Sequence, residues 1–320
     1  MDKETPVNYP NSNKEWKLIE KVVTGLQDEH RKSRRWSVFF KLATLTYVIF
    51  IAVMLISPMS DSVSGNEGPY AAVIAVDGVI AAAQDASADN IILALRDAFD
   101  DDQVLGVVLR INSPGGSPVQ AGYVYDEIKR LKQIRDIPVY AVIMDLGASG
   151  AYYIAAAADE IYADKASLVG SIGVVGSGFG FTEAMKKFGI ERRLYTSGEH
   201  KGFLDPFSPE NPKEKEFWQS VLTVTHNQFI EQVRQGRGDR LNETPDMFSG
   251  LVWSGEQALE MGLIDGLSST SALVRDKFDT EEMVSFTHQP DPWESLVQKL
   301  GMSIGAGLAT VVTSSGLQLH

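Results

Sequence analysis

The chain has 320 residues, enough to bury a sizeable core in one large domain or two small ones, and its 44% hydrophobic and 22% charged composition is that of a globular protein. It contains no cysteine, which excludes a disulfide, a thiolate nucleophile and a cysteine-type metal site. The formal net charge is −13, although residues 1–60 hold nine Lys and Arg against six Asp and Glu. The rest of the chain is therefore strongly acidic and poorly suited to bind nucleic acid or an anionic lipid surface.

The first element in chain order is an apolar run over residues 38–56, in which Lys41 is the one charged residue. The run is long enough to cross the hydrocarbon core of a bilayer. A basic cluster precedes it and none follows, so the positive-inside rule predicts a cytoplasmic N-terminus. The cluster consists of Arg31, Lys32, Arg34 and Arg35. We predict a cytoplasmic segment over residues 1–37, one transmembrane anchor over 38–57 and a catalytic domain outside the cytoplasm.

A cleavable signal peptide is the alternative interpretation of this run. The preceding 37 residues are long for the basic region of such a peptide, and no A-x-A cleavage motif follows Ile56. These two features favour an uncleaved anchor.

Residues 58–69 are rich in Ser, Gly and Pro and predict a linker, after which a folded domain over residues 70–280 begins. Apolar, β-branched runs in this domain predict strands that alternate with helices. The strands are predicted over residues 71–80, 104–111 and 138–144, and the helices over 88–99, 119–134 and 212–235. Strands that are apolar on both faces are typical of a parallel sheet covered by helices on each side. The predicted fold class is α/β.

Two further features of the helices bear on their boundaries and packing. Pro212 falls in the first turn of the long amphipathic helix, where proline is well tolerated. The C-terminal segment, residues 281–320, has apolar residues at helical spacing from Trp293 onward and predicts a second amphipathic helix. We expect that helix to dock on its own domain or on a neighbouring copy, and contact with a membrane surface is the alternative.

Ser149 lies in the motif GASGAYYIA, between an apolar strand and a helix of small residues. A serine at such a turn presents its hydroxyl beside free backbone N–H groups, which is suitable for a nucleophile. Serine is also a preferred helix N-cap, so the motif alone does not decide between the two roles.

Two glycine-containing segments supply the context. The turn Asn112–Gly116 follows a buried strand and could expose backbone N–H groups toward an oxyanion, or could be a simple strand-ending turn. The segment Gly170–Gly176 could pair with a peptide by strand addition, or could be an ordinary buried strand. Neither carries the Lys-Ser/Thr of a phosphate-binding loop, which excludes that kind of nucleotide site.

These motifs together resemble the signal peptide peptidase A family: SPGG, then D-x-x-A-S-G-x-Y-Y-I-A, then G-S-I-G-V, then S-G-E-H-K ending at Lys201. A later stretch, Val252–Gly266, resembles a family motif with a structural role. The similarity covers roughly residues 70–275 and implies a Clp-protease and crotonase-like fold.

Transferred residue by residue, the resemblance makes Ser149 the nucleophile and Lys201 the general base, with Ser171 orienting the lysine. It implies an oxyanion hole formed by the backbone N–H groups of Gly116 and Gly150. The substrate cleft is expected to include Ser113, Pro114, Gly115, Ile172, Gly173 and Val174. A lysine base must be uncharged, which burial away from carboxylates favours.

His200 is the alternative base because it adjoins Lys201. On an extended strand, neighbouring side chains point to opposite sides, so only one of the two could face the cleft, and the family pattern favours the lysine. His226 falls inside the long helix, and we expect it to be a packing residue or a solvated ring.

The resemblance implies a membrane-anchored serine endopeptidase of the bacterial inner membrane, acting outside the cytoplasm on cleaved signal peptides and other small or unfolded peptides. It implies assembly into a ring or dome of copies, such as an octamer, with residues shared between neighbours. No metal or organic cofactor is expected, because no ligand cluster has suitable spacing. A crotonase-type enzyme acting on acyl-CoA and a catalytically silent scaffold are the alternatives.

Overall fold

The computed structural model describes residue 21, residues 34–51 and residues 68–288. Residues 34–51 are helical, and the ring of Trp36 contacts those of Phe39 and Phe40 at centroid distances of 5.8 and 5.7 Å. Within the described ranges, no helix has both the length and the apolar composition that a membrane crossing needs. The end of the predicted anchor, most of the linker and the C-terminal helix predicted from Trp293 lie outside these ranges.

Residues 68–288 alternate between strands and helices. The strands are β1 (Tyr70–Asp77), β2 (Val104–Ser113), β3 (Val139–Ala148), β4 (Glu160–Ala163), β5 (Leu168–Gly170), β6 (Val252–Ser254), β7 (Gly266–Leu267) and β8 (Met283–Ser285). The helices are α1 (Ala88–Asp100), α2 (Pro118–Ile134), α3 (Gly150–Ala155), α4 (Thr182–Phe188), α5 (Pro212–Arg237), α6 (Gly255–Glu260) and α7 (Thr270–Phe278), with a 3₁₀ turn at Gly238–Arg240. The strands and helices predicted from the apolar runs are confirmed.

All of these strands join one sheet in the order β6-β5-β3-β2-β1-β8, and β4 pairs with both β3 and β7. Every pairing is parallel except that between β5 and β6. Strand β3 forks: its first half, through Ile143, pairs with β4, and its last three residues pair with β5. The predicted parallel sheet flanked by helices is therefore present, with one antiparallel strand at its edge.

The core follows from the alternation of side chains along the central strands. On one face, residues such as Ile74, Leu109 and Ile143 are fully buried under α1, α2 and α3. On the other face, Val108 and Val142 pack against Leu273 of α7. Burial of both faces explains why these strands are almost continuously apolar in sequence.

Helices α2 and α5 begin after residues whose side chains accept hydrogen bonds from N–H groups of the first turn. The side chain of Ser117 accepts a hydrogen bond from Gln120 N at the start of α2, and that of Asn211 accepts one from Lys213 N at the start of α5. Pro212 follows as the first residue of α5, which confirms the predicted start of the long helix.

Asp265 connects three parts of the domain. Its carboxylate forms a bidentate ion pair with Arg237 at the end of α5, at 2.6 and 2.9 Å, and accepts a hydrogen bond from Ile161 N of β4 at 2.6 Å. The Arg237 side chain is 1% exposed. Burial alone would raise the pKa of Asp265, but the hydrogen bonds and charge of Arg237 hold that pKa below its ordinary value. Asp265 lies in the stretch Val252–Gly266, whose contacts are structural.

We predict that Asp265→Ala lowers the free energy of unfolding by on the order of 3–5 kcal/mol, because it leaves the Arg237 guanidinium buried without its carboxylate. Asp276→Ala, at an exposed position on α7, is the matched control and should change stability by less than about 0.5 kcal/mol. Urea unfolding followed by circular dichroism measures both values. Equal stabilities for the two variants would contradict the structural role of Asp265.

Candidate functional site

The site is built at the carboxyl ends of three neighbouring strands. In the sheet register, Ser113 at the end of β2 lies opposite Gly147 of β3, and Ala148 lies opposite Gly170 at the end of β5. The three motifs singled out in the sequence therefore leave the sheet side by side. This edge of a parallel sheet is where ligands and reacting groups are usually held.

Ser149 occupies the sharp turn between β3 and α3, with φ 54° and ψ −124°. Its N–H donates to Gly170 O at 2.8 Å, and its carbonyl accepts from Tyr153 N at 3.0 Å. The side chain makes no capping hydrogen bond, so a plain N-cap role has no contact to support it. A non-glycine residue held at positive φ is strained, and such strain is concentrated at functional sites.

The backbone of Gly115–Gly116 lies directly against the start of α3. A methyl group built on Gly115 would stand 2.6 Å from both Ala148 O and Gly150 N, and one built on Gly150 would stand 3.3 Å from Gly116 N. The N–H groups at the start of a helix have no acceptor within it. Gly116 N and Gly150 N are thus close together next to Ser149, as an oxyanion hole requires.

A cleft of about 450 Å³ opens beside Ser149. Among the residues predicted for the site, its wall includes Gly116, Ser149, Gly150, Ser171, Gly173 and Val174. Ser171 has φ 50° and donates its N–H to Leu251 O at 2.8 Å. The structure therefore brings the predicted nucleophile, both predicted oxyanion donors and the predicted orienting serine into one cavity.

The remaining predicted cleft residues lie behind or beside that wall. Ser113 is fully buried, where its hydroxyl donates to Gly78 O at 2.5 Å and accepts from Gly115 N at 3.1 Å. Ile172 is also fully buried, and Pro114 is exposed. Ser113 therefore stabilises the turn. Gly115 has no side chain, which leaves space for the backbone of Gly150 to lie against the turn.

Lys201 does not line the cleft. It is exposed, and its N–H donates to Gly198 O at 3.2 Å within a series of turns over residues 197–204. The expectation of an extended strand at His200 and Lys201 is wrong, because Gly198 at φ 106° and further i to i+3 hydrogen bonds fold this segment back on itself. His200 also lies away from the cleft, with Nδ1 3.1 Å from Glu214 Oε1.

Helix α5 supplies a cleft wall that the sequence did not reveal. Four of its residues line the cavity: Thr225, His226, Gln228 and Phe229. The amphipathic pattern predicts a helix with one apolar face, but a helical period does not say which part of the protein that face meets. His226 in particular was expected to be a packing or solvated residue.

Tyr153 and Phe229 form the apolar part of the wall, with ring centroids 5.1 Å apart. Burial, with a smaller effect of the Asp126 charge, raises the pKa of Tyr153 to about 12. Its phenol therefore stays neutral at physiological pH and cannot act as the base. In the part of the chain that the structure describes, no group of three or more His, Asp or Glu residues could hold a metal ion.

Comparison with known proteins agrees with this geometry. The sequence profile of Peptidase family S49 matches residues 131–283. A putative protease of Methanocaldococcus jannaschii is 32% identical over 228 residues, which cover 68% of this chain and 71% of that protein. The chain belongs to peptidase family S49. A putative signal peptide peptidase SppA of Enterococcus faecium is 32% identical over 176 residues, 55% of this S49 chain and 51% of that protein. The predicted resemblance is confirmed.

Two Brucella relatives of this S49 chain carry a different name. A Brucella abortus protein called Na(+)/H(+) antiporter NhaA is 45% identical over 184 residues, which are 58% of this chain and 25% of that protein. The chain thus spans a quarter of that relative's length and about half of the Enterococcus protein's. A name given to the whole Brucella protein says nothing about the quarter that aligns here.

We predict that Gly115→Ala lowers kcat/KM for peptide hydrolysis by at least about 100-fold, because the added methyl displaces Gly150 N from its position. Gly189→Ala is the matched control, since Gly189 also has positive φ, at 66°, but nothing lies within 4 Å of the added methyl. Both variants carry the same kind of backbone strain, and only Gly115→Ala disturbs the site. Equal activities, measured on one fluorogenic peptide, would contradict the assignment of Gly150 N.

Proposed function

We propose that this protein is a serine endopeptidase that uses Ser149 as its nucleophile and Lys201 as its general base. The observation that carries the proposal is the placement of Ser149, in a strained turn beside Gly116 N and Gly150 N, within one cleft of a family S49 chain. Geometry of this kind suits acyl transfer, in which a hydroxyl attacks a carbonyl and the developing oxyanion is bound by N–H groups.

In the proposed reaction, Ser149 Oγ attacks the peptide carbonyl while the Lys201 amine takes the hydroxyl proton. The N–H groups of Gly116 and Gly150 stabilise the tetrahedral oxyanion. As the C–N bond breaks, Lys201 gives the proton to the leaving amine, and the acyl group remains on Ser149 Oγ as an ester. Water then hydrolyses this acyl-enzyme by the same steps. In this proposal Ser171, which lies in the wall of the same cleft, orients the lysine by a hydrogen bond.

We further propose that Lys201 serves the cleft of a neighbouring copy. Its exposed position outside its own cleft supports this, as do the exposed apolar side chains in the same stretch of the chain. Large apolar side chains between residues 175 and 217 are mostly exposed, among them Val175 at 88%, Phe179 at 81% and Tyr195 at 89%. Such exposure is typical of an interaction surface. A homo-oligomer, such as a ring or dome, would cover it and complete the site.

The remaining parts of the proposal rest on the sequence. The apolar run that begins at Val38 supports a single-pass anchor in the bacterial inner membrane, with the catalytic domain outside the cytoplasm. The names of the protease-like relatives support cleaved signal peptides and other small or unfolded chains as substrates. The order of strands and helices supports a Clp-protease and crotonase-like domain.

We predict that Ser149→Ala and Lys201→Ala each lower kcat on a peptide substrate by at least about 1,000-fold, because each removes one member of a unit that acts together. Lys165→Ala, at an exposed position between β4 and β5, is the control and should retain wild-type activity. The measurement is steady-state hydrolysis of a fluorogenic peptide by the full chain in detergent. Turnover of an acyl-CoA thioester that survives Ser149→Ala would instead favour a crotonase-type enzyme.

The same two inactive variants test where the lysine comes from. Co-expression of Ser149→Ala and Lys201→Ala chains creates interfaces at which an intact serine faces an intact lysine. We expect activity to reappear in such mixed oligomers. If each oligomer forms and stays inactive, Lys201 acts within its own chain and the sharing of residues between copies is refuted.

A further inference from the structure

The segment that follows β5 forms hydrogen bonds with the rest of the protein only at its first residues. Ser171 N donates to Leu251 O, and the carbonyl of Ile172 contacts His226 Nε2 at 3.1 Å. From Gly173 to Gly180, no backbone N–H or carbonyl has a hydrogen-bond partner among the described residues, until Phe181 N donates to Pro206 O. Unpaired backbone groups of this kind are suited to accept a further strand.

The backbone of Gly250 and the side chain of Trp218 pack closely against the segment Gly173–Gly180. A methyl group built on Gly173 would stand 3.0 Å from Gly250 Cα, and one built on Gly176 would stand 2.7 Å from the Trp218 indole nitrogen. Trp218 and His226 are eight residues apart on α5 and so lie close to one face of that helix. Helix α5 is therefore the support against which the segment rests.

Among the residues that the structure describes, His226 makes the one hydrogen bond between α5 and this segment. A backbone carbonyl only accepts hydrogen bonds, so the contact with Ile172 O places a proton on Nε2 of His226. The Nε2 atom is then a donor and is not free to take a proton from Ser149. The half-buried ring, in the wall of the Ser149 cleft, thus acts on the segment rather than on the nucleophile.

We infer that His226 is a positioning residue that fixes the edge Ile172–Gly176, onto which the backbone of a peptide substrate is added as a strand. The inference rests on the proposed peptidase function and assigns the substrate an extended main chain rather than a particular side chain. Loss of the contact would free the carbonyl of Ile172 and let the edge shift. The kcat/KM for a long substrate would therefore fall more than that for a short one.

The test compares His226→Leu, which removes the donor, with His226→Gln, whose amide can still donate to Ile172 O. Two substrates are used: a fluorogenic peptide of eight residues and a p-nitrophenyl ester of one acetylated amino acid, too short to run along the edge. We expect His226→Leu to lower the ratio of kcat/KM for peptide over ester on the order of tenfold, mainly through KM for the peptide. His226→Gln should recover most of this ratio, and His288→Leu, at an exposed position, should leave it unchanged.

Other outcomes overturn the inference. An unchanged ratio in His226→Leu would show that the contact does not position the substrate. An equal loss on both substrates, shared by His226→Leu and His226→Gln, would show that the imidazole serves the chemistry of Ser149 as a base. Failure of the wild-type chain to hydrolyse either substrate would refute the proposed function itself, which separates that failure from the failure of this inference.

Discussion

The site depends on one backbone constraint, the fork at the end of β3. Because its last residues leave β4 and pair with β5, Ala148 is placed opposite Gly170, and Ser149 N can donate to Gly170 O. That hydrogen bond and the close approach of Gly115 hold Ser149 at positive φ. The strain is maintained by the surrounding sheet, whose buried strands cannot shift without disrupting the core.

Helix α5 complements the sheet by closing the cleft from the other side. Its C-terminal end is fixed by the ion pair between Arg237 and Asp265, and its middle presents His226 and Phe229 to the cleft. One helix therefore connects the stability of the domain with the shape of the substrate cleft. Lys201 lies outside this cleft, which is the reason for proposing that a neighbouring copy supplies it.

The sequence predicts most of the sheet and its helices because the signals are local. Apolar runs locate β1, β2 and β3, and Pro212 marks the start of α5. The family resemblance implied that Ser149, Ser171, Gly116 and Gly150 belong to one site, and the structure brings them together where three parallel strands end at one edge of the sheet. The strained backbone of Ser149 could not be predicted, since a serine before a helix also fits an N-cap. The role of His226 and the turns around Lys201 depend on tertiary contacts that a local pattern does not contain.

The central claim is that Ser149 is an activated nucleophile, and covalent labelling tests it most directly. The full chain in detergent is treated with a fluorophosphonate, and the modified residue is located by peptide mass spectrometry. We predict one adduct, on Ser149, and none in Ser149→Ala. An adduct on another residue, or no adduct on a wild-type chain that hydrolyses peptides, would contradict the claim.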